Sequence, residues 1–130
     1  MILMDTDVCI ELLRGNKRVI DHRRRMPDEV GVAFMTVGEL FYGAERSSQP
    51  ALNRTLVERF LLSVRCLHSD QAIMACFGTI KAGLATAGTI LPDADILIAA
   101  TAITRGTALV SGNTAHLSRT HGLSIMDWTR

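Results

Sequence analysis

The sequence lacks any pair of cysteines spaced to close a small loop or to clasp a metal. Its three, Cys9, Cys66 and Cys76, are odd in number and far apart. This excludes a disulfide framework and a structural zinc site, and it suits a reducing compartment. Cys9 and Cys76 have apolar neighbours and read as core residues. Long apolar runs are also missing. The stretch 96–103 falls far short of the roughly 20 residues a membrane span needs. Asp5 and Asp7 interrupt the N-terminal apolar run almost at once, unlike a secretory leader. The expected location is therefore the cytoplasm, with no membrane partner. Charge of one sign is scarce too: the formal net charge is +1, which gives no global attraction to nucleic acid. The local cations are Arg14, Lys17, Arg18 and the run His22-Arg23-Arg24-Arg25, which reads most simply as a solvated helix face. Neutrality does not exclude an RNA substrate, because cutting a phosphodiester needs only a few phosphate contacts. Neither repeats nor low-complexity tracts are present.

What is present fits one domain spanning residues 1–130, with 48% hydrophobic residues and 21% charged ones, enough for an ordinary core. The apolar run Met1-Ile2-Leu3-Met4 predicts a buried strand that delivers Asp5-Thr6-Asp7 at its C-terminal end. Residues 8–14 predict a helix stopped by Gly15-Asn16, and residues 17–26 a second one broken by Pro27. Residues 29–35 read as a strand. Thr36 and Glu39 have the spacing of a capping box, which would open a helix over 37–46. Leu52, Leu56, Phe60 and Val64 recur about once per turn and predict an amphipathic helix over 51–63. A short strand at 64–68, a helix at 70–87 and a central buried helix from Pro92 to Ile103 follow. Strands at 107–110 and 123–126 complete the chain. Alternating strands and helices imply an α/β fold with a mostly parallel central sheet and helices on both faces.

Ligands of such sheets bind beyond the carboxyl ends of the strands. Asp5, Glu39, Ser111 and Asn113 all fall at that edge. Asp93 and Asp95, at the start of the buried helix, can face the same crevice. Packed carboxylates repel, and a hard cation such as Mg²⁺ or Mn²⁺ resolves the repulsion. Such a site can hold a phosphodiester and activate a water. Each residue also has a plainer role. Asp5 can cap a helix, Asp95 can serve a helix dipole, Glu39 can complete a capping box and Asn113 can sit in a turn, while for Asp93 the N-cap is the better reading. The convergence at one sheet edge favours the site. His116 and His121 have no ligand spacing and read as surface residues, with His116 a candidate for supporting the site residues or for contact with RNA. Trp128 is expected to pack the last strand onto the body.

Four ordered motifs resemble the PIN-domain ribonucleases, and among them the VapC-type toxins. They are Ile2-Leu3-Met4-Asp5-Thr6-Asp7, the Thr-x-x-Glu-Leu-x-x-Gly pattern from Thr36 to Gly43, Asp95-Ile96-Leu97-Ile98-Ala99-Ala100, and Leu109-Val110-Ser111-Gly112-Asn113 followed by His116-Leu117. The resemblance implies a three-layer α/β/α sandwich and a Mg²⁺- or Mn²⁺-dependent endoribonuclease acting in a toxin–antitoxin pair. It implies Asp5, Glu39 and Asp95 as the metal-binding acids, with Asn113 beside them in the catalytic set. Asn113 stands where the family has Asp or Asn and carries one negative charge less than Asp. Thr6 and Ser111 would orient the acids, and Asp93 is an extra acid nearby. The implied partners are RNA, a second copy of the chain, and an antitoxin that reaches the pocket, often through an arginine. Two other readings remain at this point. One is a haloacid-dehalogenase-like phosphatase with Asp5 as nucleophile, and the other a catalytically silent RNA- or protein-binding module.

Overall fold

The computed structural model describes residues 1–117, 120 and 122–130, and the side chains of all of these except Thr114 and His116. The strands are β1 (Ile2–Met4), β2 (Val30–Ala33), β3 (Arg65–Leu67), β4 (Ala108–Val110) and β5 (Ile125–Met126). The helices are α1 (Thr6–Leu13), α2 (Lys17–Arg25), α3 (Phe34–Arg46), α4 (Pro50–Leu62), α5 (Gln71–Thr86), α6 (Asp93–Arg105) and the single turn α7 (Thr114–Leu117).

The sheet order is β3-β2-β1-β4-β5, and every pairing is parallel. Strand pleating divides the core in two. Ile2 and Met4 point to one face, with Val8 and Cys9 of α1, Val19 of α2, Leu40 of α3 and Val57 of α4. Leu3 and Leu109 point to the other, with Ile96, Ile98, Ala99 and Ala102 of α6. Continuous apolar strands are what a sheet covered on both faces requires. The sheet is the middle layer of the expected sandwich. At Gly31 an added Cβ would sit 3.2 Å from the Arg65 carbonyl oxygen, so the β2–β3 approach leaves little room for a side chain. Gly106 ends α6 in the left-handed conformation, with φ of 67°, where glycine carries no steric penalty. Trp128 is buried in the first core and stacks on the His22 ring, with centroids 6.0 Å apart, so it does tie the chain end to the body. Among the described residues, no helix is long and apolar enough to cross a membrane.

Two expectations fail here. Helix α3 starts at Phe34, and its N-cap is Ala33. Thr36 therefore lies inside the helix and caps nothing. In α4 the buried residue is Val57, whereas Leu52 and Leu56 are 53% and 41% exposed. The periodicity is real, but Leu52 is exposed and Leu56 faces an open groove. That groove, about 270 Å³, lies between α1, α3 and α4, with Ile10, Leu13, Leu40 and Leu56 in its lining.

The strand order determines where a ligand can sit. The chain winds from β1 through β2 to β3 in one direction, then crosses to β4 and β5 on the other side of β1. The helices therefore diverge at the carboxyl ends of β1 and β4, which leaves a crevice there.

Candidate active site

Asp5 follows β1 directly and enters this crevice. Its backbone N–H donates to the Val110 carbonyl at 3.0 Å, which ties the ends of β1 and β4 together. Its Oδ1 accepts from the Val8 N–H at 2.9 Å and caps α1. The Ser111 hydroxyl also donates to this carboxylate, while Ser111 Oγ accepts from the Asn113 N–H at 2.9 Å. The sequence thus places Ser111 as a bracket between Asp5 and the turn that carries Asn113.

Asp5 is 8% exposed. Burial pushes its pKa up to about 6 against an ordinary 3.8, and the nearby charges of Asp7 and Asp95 push the same way. The hydrogen bonds from Ser111 and Val8 oppose the shift without cancelling it. Capping alone would not need such an environment.

Asp5, Asp7, Asp95 and Asn113 share the lining of one cavity of about 10 Å³, with Ile98 and Leu117 as its apolar wall. That is room for about one water-sized occupant. Asp95 arrives from the first turn of α6 and Asp7 from the first turn of α1. Both helix N-termini thus present partial positive charge near the acids.

Glu39 sits one step away from this cavity. Thr6 Oγ1 donates to Glu39 Oε1 at 2.6 Å, and the Thr6 and Thr36 hydroxyls are bonded at 3.0 Å. Thr6 has one proton, which the carboxylate takes, so Thr36 is the donor in the second bond. This explains why Thr36 is fully buried inside α3: it anchors Thr6, and through Thr6 it holds Glu39. Glu39 itself lines the neighbouring α1–α3–α4 groove.

Of the residues singled out from the sequence, Asp5, Asp95, Asn113, Ser111 and Thr6 come together here, with Glu39 alongside. Asp93 is not part of the group. It is the first residue of α6, after the N-cap Pro92, and its carboxylate meets Lys81 Nζ of α5 at 3.0 Å. Asp93 and Asp95 are two positions apart on α6, so the two side chains leave the helix in different directions. His121 and the side chain of His116 lie outside the described residues. Asp7 is the residue that sequence reasoning missed. Its signal was its place two residues after Asp5, which reads as ordinary helix-start chemistry until the fold turns that first turn of α1 into the crevice.

The donor set is three carboxylates and one amide, all oxygen, in a space for one small occupant. That chemistry fits a hard divalent cation. A cation would also relieve the unfavourable charge of Asp5. Among the described residues, no three acidic, His or Cys side chains are already gathered at ligand distance around one point.

Known proteins match this chain in sequence and in fold. The PIN domain family matches residues 2–123. The chain is 34% identical to a Haemophilus influenzae protein named ribonuclease VapC2, over 97% of this chain and 96% of that one. It is 31% identical to the Shigella flexneri tRNA(fMet)-specific endonuclease VapC, over 98% and 97%. Its fold superposes on a chain of a DNA-bound VapBC from Salmonella typhimurium with a TM-score of 0.91 at 30% identity, covering 98% of each. An acid-lined crevice at the β1/β4 switch point, the four ordered motifs and these matches over nearly the full length lead to one assignment: the chain belongs to the PIN domain family, among its VapC-type members.

Proposed function

We propose that this chain is a Mg²⁺- or Mn²⁺-dependent endoribonuclease and the toxin of a toxin–antitoxin pair. The observation that carries the reading is the buried Asp5, raised in pKa and sharing a small cavity with Asp7, Asp95 and Asn113. A fold keeps a buried carboxylate among other acids when a cation completes the site.

The bound cation would neutralise the acids and stabilise the charge that develops on a scissile phosphate. Asp5 and Asp95 would hold it, and Asn113 would offer a neutral amide beside them. Glu39, fixed by Thr6, is placed to orient the attacking water or accept its proton. Hydrolysis adds that water to phosphorus and breaks the bond to the 3′ oxygen, leaving a 5′-phosphate and a 3′-hydroxyl. Ser111 and Thr6 keep Asp5 and Glu39 in position.

The partners proposed are an RNA, an antitoxin and a second copy of the chain. The open apolar groove beside Glu39, with Arg14 and Leu13 at its edge, suits an apolar antitoxin segment. The phosphatase reading would want a downstream lysine to balance charge at Asp5, and Lys81, the one lysine after Lys17 in the sequence, is instead paired with Asp93 and lies over the Phe77 ring, 5.8 Å from its centroid.

The test is cleavage of a mixed RNA pool by wild type and Asp5→Asn, with Mg²⁺, with Mn²⁺ and with EDTA. Cleavage should need the cation and should fall by on the order of a hundredfold or more in the variant. Cleavage that persists in EDTA, or in Asp5→Asn at the wild-type rate, sinks the reading.

A further inference from the structure

Most acids at helix starts in this molecule have a structural partner. Asp70 caps α5 through the Ile73 N–H and also meets Arg105. Asp93 meets Lys81. Asp7 differs. It is exposed, and among the described residues its carboxylate takes part in no hydrogen bond or ion pair. What it does share is the wall of the cavity formed with Asp5, Asp95 and Asn113, and its charge is felt by Asp5.

A second observation concerns charge. Asn113 is neutral, and Glu39 is committed to Thr6 and absent from the cavity lining. Without Asp7, the cavity would offer a divalent cation two carboxylates only, Asp5 and Asp95. We propose that Asp7 is a ligand-bearing acid of the cation site, supplying in this chain the negative charge that Asn113 does not. The inference rests on the cation-dependent reading above. Its position supports it: Asp7 lies in the first turn of α1, two residues beyond the cap that fixes Asp5. Being exposed, its side chain can swing to an ion without disturbing the core. The plainer role for Asp7 is to favour the α1 dipole, which would leave cation affinity untouched.

Mn²⁺ binding separates the two roles, read as the loss of the free-ion electron paramagnetic resonance signal on titration. The proteins are wild type, Asp7→Asn, Asn113→Asp, the double variant and Asp5→Asn, each checked by circular dichroism melts. Asp7→Asn should weaken Mn²⁺ binding by about tenfold or more, since ligand charge sets affinity at oxygen sites. Adding Asn113→Asp to Asp7→Asn should return it to within about threefold of wild type. On the wild-type background, Asn113→Asp should gain less than about threefold, because the charge is already supplied. This last variant decides the matter even if Asp7→Asn folds poorly: a gain of about tenfold or more would show the charge missing and overturn the proposal. Wild-type affinity in Asp7→Asn, with binding lost in Asp5→Asn, would also overturn it and leave the cation site standing without Asp7. No Mn²⁺ binding by wild type would sink this inference and the cation-dependent reading together.

Discussion

Asp5 and Asp70 make the same local bond and do opposite work. Each is the N-cap of a helix, and each accepts from the N–H three residues on, at 2.9 Å in both cases. Asp70 stands at the surface, with its second oxygen 3.2 Å from Arg105. Asp5 is buried, with two further acids near it and a pKa raised to about 6. One cap stabilises its helix and pairs with a neighbouring arginine. The other holds a carboxylate that burial and neighbouring acids disfavour, a cost in stability of the kind functional sites commonly carry. Local sequence chemistry is the same at both. What differs is the surroundings, and those come from topology: the end of β1 lies at the sheet's switch point, and the start of α5 does not.

The largest expected effect breaks this contrast directly. Asp5→Asn keeps a cap oxygen for the Val8 N–H and removes the buried charge. A carboxyl whose folded pKa is raised holds its proton more tightly in the folded state. Its contribution to stability is intact below the unfolded value of 3.8 and is lost as pH climbs through about 6. The cation-free variant should therefore match wild type near pH 3.8 and become more stable above it. The gap should widen up to about pH 6 and then level off, at a value on the order of 2–3 kcal/mol. Thermal melts across that range measure it. RNA cleavage should collapse in the same protein. A variant with wild-type cleavage and wild-type stability at pH 7.5 would mean that Asp5 is only a structural cap, like Asp70.

The comparison also explains what could be read from the sequence. The ends of β1 and β4 were legible because apolar runs stop abruptly at Asp5 and Ser111, and strand ends at a parallel sheet edge are where ligands bind. The buried α6 was legible from its unbroken apolar stretch beyond Asp95. Thr36 was not. Its spacing to Glu39 satisfies a capping rule that looks only at near neighbours, whereas its actual partner is Thr6, 30 positions away. For Asp93 the local pattern favours an N-cap, but Pro92 holds that place, and the partner of Asp93 is Lys81 on α5, which no local rule reveals. Asp7 was hidden because a helix-start acid next to another helix-start acid reads as redundancy. Leu52 and Leu56 kept the right period, but periodicity does not say whether a neighbouring helix covers them: both are exposed, and Leu56 faces an open groove.

The Thr36–Thr6–Glu39 chain gives the next effect in size, and it sharpens the contrast by having the opposite sign. Thr6→Val removes the hydroxyl that holds Glu39 and leaves the Thr36 hydroxyl buried without its partner. Losing a bond to a charged group and stranding a buried donor together cost about 2 kcal/mol. Cleavage should drop by about tenfold, because Glu39 loses its orientation while Asp5 and Asp95 stay in place. Asp5→Asn is expected to stabilise and Thr6→Val to destabilise, though both lie within one site. Chemical denaturation of the two variants side by side checks the signs. If Thr6→Val leaves cleavage intact, Glu39 needs no support from Thr6 and the threonine pair serves packing alone.

The smallest effect is the control on the other side of the comparison. Asp70→Asn preserves an oxygen for the Ile73 N–H, so the α5 cap survives, since asparagine caps about as well as aspartate. What is lost is the pair with Arg105, whose partners are 48% and 41% exposed. Exposed pairs of this kind contribute at most about 0.5 kcal/mol once solvent screening and side-chain entropy are counted. Denaturation midpoints should therefore barely move, and cleavage should stay at the wild-type level. The same Asp-to-Asn change thus raises stability and abolishes activity at position 5, yet leaves both unchanged at position 70. Should Asp70→Asn lower cleavage about tenfold, the two caps would not be separable by their surroundings. The start of α5 would then have to be counted with the RNA-binding surface.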